Sequence, residues 1–234
     1  TEDVQRMVPI LDCSKNARYP ILGASLQKRG GVARHDGVAW GYARAADARG
    51  VDIIQKCEVT GILRQGGKVT GVETSRGTIK AKKVAIVTAG HTSHVAAMAG
   101  LRLPIESFPL QAMVSEPIKP VLDCVVMSGA VHAYISQSDR GEMVMGAGID
   151  HFISYTQKST LAVVEHQMAA VTKLIPILSR LRLMRQWAGI VDTCPDASPI
   201  VSKTPVEGLY VNGGWGTGGF KGTPGSGWVF AHTI

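Results

Sequence analysis

The sequence has few cysteines, and no two of them are close together. Four occur in 234 residues, and none is part of a C-x-x-C motif: Cys13, Cys57, Cys124 and Cys194. The seven histidines show no H-x-H or H-E-x-x-H spacing. Zinc sites and redox-active dithiols depend on such spacings. The sequence therefore predicts no metal site, and it favours a reduced, cytoplasmic protein.

Long apolar runs and clustered charge are lacking too. No run of about 18 apolar residues occurs, which predicts that the chain does not span a membrane. The net charge of +7 comes from 25 Lys and Arg against 18 Asp and Glu, spread along the chain. Spread charge favours a mildly basic surface, suited to an anionic cofactor or a partner subunit, over a nucleic-acid-binding surface.

The sequence begins at Thr1, without an initiator methionine or a signal-like segment. It ends at Ile234, inside a predicted helix. We therefore expect both ends to be cuts within a longer protein. What is present in quantity is hydrophobic residues, at 45%, and glycine, with 27. This composition is sufficient for a globular core in which the backbone comes close to other groups.

Hydrophobic periodicity predicts two kinds of sheet. The continuous apolar run at 83–88 is typical of a strand buried on both faces, whereas alternating patterns predict antiparallel strands. The predicted strands are 21–27, 51–59, 60–63, 68–74, 77–80, 83–88, 104–116, 124–127, 130–136, 142–149, 181–191 and 208–212. The predicted helices are 1–7, 37–49 with Asp36 and Gly50 as its caps, 91–99, 160–174 and a C-terminal one. This mixture predicts an α/β fold with α+β character, in which a nucleotide-binding region contains an inserted substrate region.

The block from Asn212 to Gly225 is the most informative segment. It has the pattern of a strand, a glycine-dense turn and a helix, which exposes backbone N–H groups at a positive helix end. Such a turn suits a phosphate or the electron-rich N1/O2 edge of a reduced flavin, because glycines allow close approach. Lys221 would add a charge for a substrate carboxylate. A glycine-rich surface loop with an ordinary lysine explains the same residues equally well.

Two other positions are candidates for function. Arg34, His35 and Asp36 precede a predicted helix, where a neutral imidazole can act as nucleophile, base or cap. A histidine with a purely structural role is the more common case. Tyr134, in a predicted strand, could line a pocket, although a tyrosine in a strand more often packs. The residues alone leave both alternatives open.

Several segments together resemble the FAD-dependent amine oxidases, the family of D-amino-acid oxidase, glycine oxidase and monomeric sarcosine oxidase. The block Gly213–Pro224 resembles the family's C-terminal flavin-binding motif. Val84–Gly90 resembles the strand before a flavin contact, and Cys57–Val59 resembles the strand whose backbone meets adenine. The resemblance implies a partial FAD/NAD(P)-binding domain at 1–100 and 190–234 and an inserted antiparallel-sheet substrate domain at 101–189. The implied FAD contacts are Val59, Gly90, Gly216, Thr217, Gly218, Gly219 and Lys221.

The match is more specific at Leu26–Arg44, which is similar to the β subunits of heterotetrameric sarcosine oxidases. In those proteins the corresponding histidine carries covalent FMN. By this resemblance His35 would be the FMN attachment site at a subunit interface, and Arg34 a basic neighbour of that flavin. Lys221 would be the ligand of the substrate carboxylate, with Tyr134 as the other candidate catalytic residue.

The chain departs from the family pattern in two places. Monomeric members have an oxygen-activating lysine in the strand that resembles Glu142–Gly146, and no lysine is present there. This fits a division of labour in which non-covalent FAD takes the hydride and FMN meets oxygen. The N-terminal G-x-G-x-x-G and the N-terminal arginine that shares the carboxylate are also missing, so we expect the chain alone to be inactive.

The resemblance implies that sarcosine is oxidised to glycine and formaldehyde while O₂ is reduced to H₂O₂. The implied partners are the other subunits of such an oxidase, the α subunit in particular. The alternatives are the β subunit of a related L-proline or dimethylglycine dehydrogenase, and a truncated scaffold without cofactor. If two motifs serve one cofactor, the strands at 84–87 and 209–211 should share a sheet, with their glycine-rich ends facing one pocket.

Overall fold

The computed structural model describes residues 1–234 except for the side chain of Ala147. The helices are α1 (Glu2–Met7), α2 (His35–Asp47), α3 (Thr92–Met98), α4 (Leu161–Leu174) and α5 (Gly219–Thr233). The strands are β1 (Val59–Gln65), β2 (Lys68–Thr74), β3 (Gly77–Lys80), β4 (Val84–Ile86), β5 (Glu106–Pro117), β6 (Val126–Ser128), β7 (Ala133–Gln137), β8 (Glu142–Ile149), β9 (Leu183–Thr193), β10 (Ile200–Lys203) and β11 (Leu209–Gly213). The mixed α/β class predicted from the sequence is confirmed.

The chain forms two compact units. One contains residues 1–45, 109–150 and 156–189, and the other contains residues 46–108, 151–155 and 190–234. The predicted division differs for residues 1–45, which it assigns to the same domain as 46–100, and for residues 101–108 and 151–155, which it assigns to the same domain as 109–150. Which unit carries FAD and which carries the substrate stays a prediction.

The first unit contains most of a five-stranded antiparallel sheet, whose strand order is β6-β7-β8-β5-β9. Burial alternates along β5, as expected for a strand with one face on a core. That core contains Met113, Ile135 and Met145 from the sheet, together with Val171 and Leu174 from α4. Burial of these side chains fixes α4 on one face of the sheet.

The second unit has two small sheets. Strands β1, β2 and β3 form an antiparallel meander, whereas the other sheet has the order β10-β11-β4. Strand β11 pairs in parallel with β4, with Leu209 opposite Val84 and Val211 opposite Ile86. This pairing confirms the prediction that the two segments share a sheet.

Some sequence-based predictions of secondary structure are wrong. Among the described residues, 21–27 and 51–58 form no strand, and Ile53 and Ile54 are about half exposed at 48% and 52%. Apolar residues of high β propensity form a strand only where a second strand offers hydrogen bonds. The run at 83–88 is shorter than predicted, and it is not buried on both faces, since Ile86 is 2% exposed whereas Val87 is 58% exposed. Strand β10 is not among the predicted strands, because it is short and follows Pro199.

Candidate functional site

The glycine-rich block follows the buried strand β11. Its first turn contains Gly214 at φ +77°, where a Cβ would lie 2.5 Å from the Cys194 sulfur. The N–H of Gly214 donates a hydrogen bond to the carboxylate of Asp192, which is itself only 5% exposed. Glycine at 214 is therefore required by the backbone conformation and by the packing at this point.

The next glycines differ in what surrounds them. The indole N–H of Trp215 donates to Asn212 Oδ1 at 2.6 Å, which fixes the ring over the start of α5. A Cβ at Gly219 would lie 3.0 Å from the Trp215 Cβ, and a Cβ at Gly222 would lie 2.6 Å from its ring. Gly218 is different, because no described atom lies within 4 Å of a Cβ built there. Packing of Trp215 accounts for Gly219 and Gly222, whereas Gly218 leaves open space.

Lys221 and Thr217 lie on the exposed side of this block. The residues Gly216–Gly218 form a single 3₁₀ turn, and α5 then begins at Gly219. Lys221 is therefore in the first turn of α5, and it forms no ion pair within the described part of the chain. An exposed ammonium beside free helical N–H groups is a suitable group for an anion.

Gly90 lies beyond the end of β4, next to the glycine-rich block. A Cβ at Gly213 would lie 2.7 Å from Thr92 Oγ1, which shows that the carboxyl ends of β4 and β11 are adjacent. Gly90 itself is buried, and a Cβ there would lie 2.3 Å from the Ile190 side chain. The hydroxyl of Ser107 donates to the Gly90 carbonyl at 2.5 Å. The two predicted motifs thus meet, but the described contacts of Gly90 are with Ile190 and Ser107 of the protein itself.

Val59 is the remaining predicted cofactor contact in this unit. It is half-buried at the first position of β1, where it pairs with Thr74 of β2. Val59 therefore belongs to the meander, and Gly90 and the glycine-rich block adjoin the other sheet. Its contact with an adenine stays a prediction.

His35 lies in the first unit, where it lines a cleft of about 610 Å³. The lining residues are Val32, Ala33, Arg34, His35, Asp36, Leu122, Asp123, Cys124, Gln137, Ser138, Asp139 and Arg140. Helix α2 begins at His35, so Asp36 is inside the helix and not its N-cap as predicted; its carboxylate accepts the Gly37 N–H at 2.8 Å. The imidazole is exposed, which leaves it accessible to a ligand in the cleft.

Charged groups distant in sequence complete this cleft. The Arg34 guanidinium forms an ion pair with Asp139, which is 105 residues away in the chain. Their hydrogen bond and mutual charge raise the pKa of Arg34 and lower that of Asp139. Burial, with a smaller effect from Asp123, raises the pKa of the Cys124 thiol and disfavours its thiolate. Asp139, Arg140 and Cys124 are not identified from the sequence, because no local pattern connects them to His35.

Tyr134 lies on β7, directly opposite Gly146 of β8. A Cβ at Gly146 would lie 2.6 Å from the Tyr134 hydroxyl oxygen, so the ring covers this glycine. Burial raises the pKa of the Tyr134 phenol, which keeps the hydroxyl protonated as a hydrogen-bond donor. Packing against Gly146 explains the position, and a catalytic role for Tyr134 stays a prediction.

Neither a metal-ion cluster nor a membrane-spanning helix occurs within the described residues. There, no cluster of three or more His, Cys, Asp and Glu side chains is arranged to hold a metal ion. None of the helices described combines the length and the apolar character needed to cross a bilayer.

The parallel strand pair with its glycine-rich turn and the large antiparallel sheet form a mixed fold that this chain shares with solved structures. The solved structure of L-proline dehydrogenase from P. horikoshii has a TM-score of 0.91 with this chain, covers 99% of it and is 29% identical. Glycine oxidase from Geobacillus kaustophilus, at 21% identity and a TM-score of 0.76 over 84% of the chain, has a similar fold.

The family is shown by the sequence comparison. The model of the DAO family, described as FAD dependent oxidoreductase, matches residues 1–233. The chain therefore belongs to the FAD-dependent oxidoreductase family. It is 57% identical over 233 residues to the sarcosine oxidase subunit beta of Arthrobacter sp and 58% identical over 231 residues to that of Rhizobium meliloti. The chain spans a little over half of these relatives, 58% and 55% of their lengths.

Proposed function

We propose that this chain is part of the β subunit of a multisubunit sarcosine oxidase. The observation that carries the proposal is the 56–58% identity, across essentially the whole chain, to three proteins named sarcosine oxidase subunit beta. The reaction takes sarcosine, O₂ and water to glycine, formaldehyde and H₂O₂. A hydride leaves an N-methyl C–H bond and the nitrogen loses a proton; these two electrons and two protons reduce O₂ to H₂O₂, and water hydrolyses the resulting imine.

The residues present fit the flavin edge of FAD. The open space at Gly218 lies beside the first turn of a helix of 15 residues, where backbone N–H groups stabilise negative charge. Bound FAD would supply the acceptor for the substrate hydride. Gly216, Thr217 and Gly218 would hold the N1/O2 edge of the flavin, and Gly219 would act chiefly by admitting Trp215. Lys221, exposed in the same turn, would hold the substrate carboxylate.

The cleft at His35 fits a second flavin. Its volume of about 610 Å³ is within the range of small-molecule and cofactor sites, and it combines an accessible imidazole with the guanidinium groups of Arg34 and Arg140. Covalently bound FMN would supply the site at which electrons pass to O₂. His35 would form the covalent bond, and Arg34 and Arg140 would favour an anionic flavin or its phosphate. Exposure of the cleft supports its closure by another subunit.

A related dehydrogenase is the second candidate. It is favoured by the TM-score of 0.91 with the solved L-proline dehydrogenase, although the identity of 29% is about half that of the sarcosine oxidase subunits. Steady-state assays of the assembled full-length protein with sarcosine, L-proline and dimethylglycine would separate the two. A kcat/KM for L-proline above that for sarcosine would overturn the proposed substrate.

Covalent flavin in the acid-precipitated chain is the direct test at His35. The full-length protein, co-expressed with its partner subunits, should give a yellow precipitate, and His35→Asn should abolish its colour while dissociable FAD remains. His151→Asn, which changes another exposed histidine, serves as the control and should stay yellow. If the His35→Asn protein keeps its acid-stable colour and the Cys124→Ser protein loses it, the thiol of Cys124 in the same cleft is the attachment site. A wild-type complex whose visible spectrum shows no flavin would instead favour the scaffold alternative.

A further inference from the structure

The ion pair between Arg34 and Asp139 connects two different parts of the cleft wall. Arg34 directly precedes α2, and its carbonyl accepts the N–H of Val38 at 3.0 Å in the first turn of that helix. Asp139 lies in the turn between β7 and β8. The contact of Asp139 with the Arg34 side chain therefore constrains the residue that directly precedes His35.

The β7–β8 turn is strongly hydrogen-bonded. The side chain of Gln137 accepts the backbone N–H groups of Val121 and Leu122 at 2.8 and 3.1 Å, and it donates to the Gly141 carbonyl at 3.0 Å. The N–H of Gly141 donates to the Ser138 carbonyl at 3.0 Å. This network makes the turn a fixed base for the Asp139 carboxylate.

The segment before His35 has much less structure of its own. Residues 22–34 contain no helix or strand among the described residues, and all of them are exposed. Within this segment, the Gly30 N–H donates a backbone hydrogen bond to the Gln27 carbonyl at 3.0 Å, which closes a turn. A segment of this kind takes its position from side-chain contacts to a better-ordered neighbour.

We propose that Asp139 is a positioning residue for the covalent attachment of flavin at His35. Asp139 holds the Arg34 guanidinium on the β7–β8 turn, and the first turn of α2 is thereby held with its imidazole at the cleft. Arg140 is the other guanidinium of the cleft, and it does not pair with Asp139. Its ion-pair contact, from Nε to Glu142 Oε1, is 3.5 Å long. This inference rests on the proposed role of His35.

The test is the rate at which the full-length protein, assembled with its partner subunits, gains acid-stable flavin. Because both side chains of the pair are exposed, at 69% and 66%, Asp139→Asn should slow attachment only by about two- to fivefold. Asp139→Glu should restore most of the wild-type rate. In about 1 M salt, where such pairs are screened, the wild-type rate should approach that of Asp139→Asn.

The matched control is Glu207→Gln. It removes an ion pair with Lys68 of similar exposure, 62% and 66%, at 2.8 Å in the other unit. This variant should attach flavin at the wild-type rate. If Glu207→Gln slows attachment as much as Asp139→Asn, the effect is general and the proposal is overturned.

A double-mutant cycle shows whether Asp139 acts through Arg34. In an Arg34→Gln background, Asp139→Asn should cause no additional slowing, and an undiminished effect would overturn the proposal. Hydrogen exchange of the amides at 38–41, the first hydrogen-bonded amides of α2, gives a readout independent of the cofactor: exchange should be faster in Asp139→Asn than in the wild type. Failure of the wild type to gain covalent flavin would refute the proposed role of His35. Normal attachment and exchange in Asp139→Asn would refute this inference alone.

Discussion

Alanine substitution at two neighbouring glycines should separate a structural requirement from a cofactor requirement. Gly214 has φ +77°, which costs an alanine about 1–2 kcal/mol, and its Cβ would lie 2.5 Å from the Cys194 sulfur. Overpacking of this kind adds about 1–3 kcal/mol. Gly214→Ala should therefore lower the free energy of unfolding by about 2–5 kcal/mol, a large part of a typical domain's stability.

Gly218→Ala should have the opposite profile. Its backbone has φ −92° and ψ −9°, a conformation open to alanine, and no described atom lies within 4 Å of the new Cβ. As a change at the N-cap of α5, it should cost about 1 kcal/mol or less. The new methyl group would, however, occupy the space proposed for the flavin edge. We expect FAD to bind at least about tenfold more weakly, which corresponds to about 1.4 kcal/mol.

Both quantities are measured on the full-length protein, by urea unfolding followed through tryptophan fluorescence and by titration of the apoprotein with FAD. Gly225→Ala is the matched control, because it lies in the same helix and also has nothing within 4 Å among the described atoms. It should raise stability by about 0.5–1 kcal/mol and leave FAD affinity unchanged. Equal FAD affinity for Gly218→Ala and Gly225→Ala would refute the assignment of the open space to the flavin. A fully stable Gly214→Ala would refute the packing argument.

Three further predictions concern the substrate, the pH dependence and the cleft. Lys221→Met should raise the KM for sarcosine about ten- to a hundredfold through loss of a charge-assisted contact, while Lys203→Met, an exposed control, should not; an unchanged KM for Lys221→Met would exclude it as the carboxylate ligand. Burial raises the pKa of Tyr134, so the unfolded chain loses that proton first and stability should fall as the pH rises above about 10. In Tyr134→Phe, the urea midpoint of unfolding should fall less steeply with pH between about pH 9 and 11 than in the wild type. The same slope in both proteins would contradict this assignment. Gln137→Ala leaves two backbone N–H groups without their acceptor and should cost about 1–3 kcal/mol in urea unfolding; a change below about 0.5 kcal/mol would show that the turn does not depend on it.

The sequence by itself determined the features that depend on local pattern. The alternation along β5, the turns of the β1–β2–β3 meander and the amphipathic pattern of α4 each act within a short window, and each predicted element is present. The parallel pairing of β4 with β11 was also predictable, because the family resemblance assigns both glycine-rich strand ends to one cofactor, and such ends would have to meet. The family followed from the same motifs.

Only the tertiary structure decided which of these residues have neighbours and which face open space. The block of glycines is uniform in sequence, yet Gly219 and Gly222 admit the Trp215 ring while Gly218 remains open. The ion pair of Arg34 with Asp139 could not be predicted either. Contacts of this kind join residues far apart in the chain, and local propensity and periodicity carry no information about which distant side chain the fold brings near.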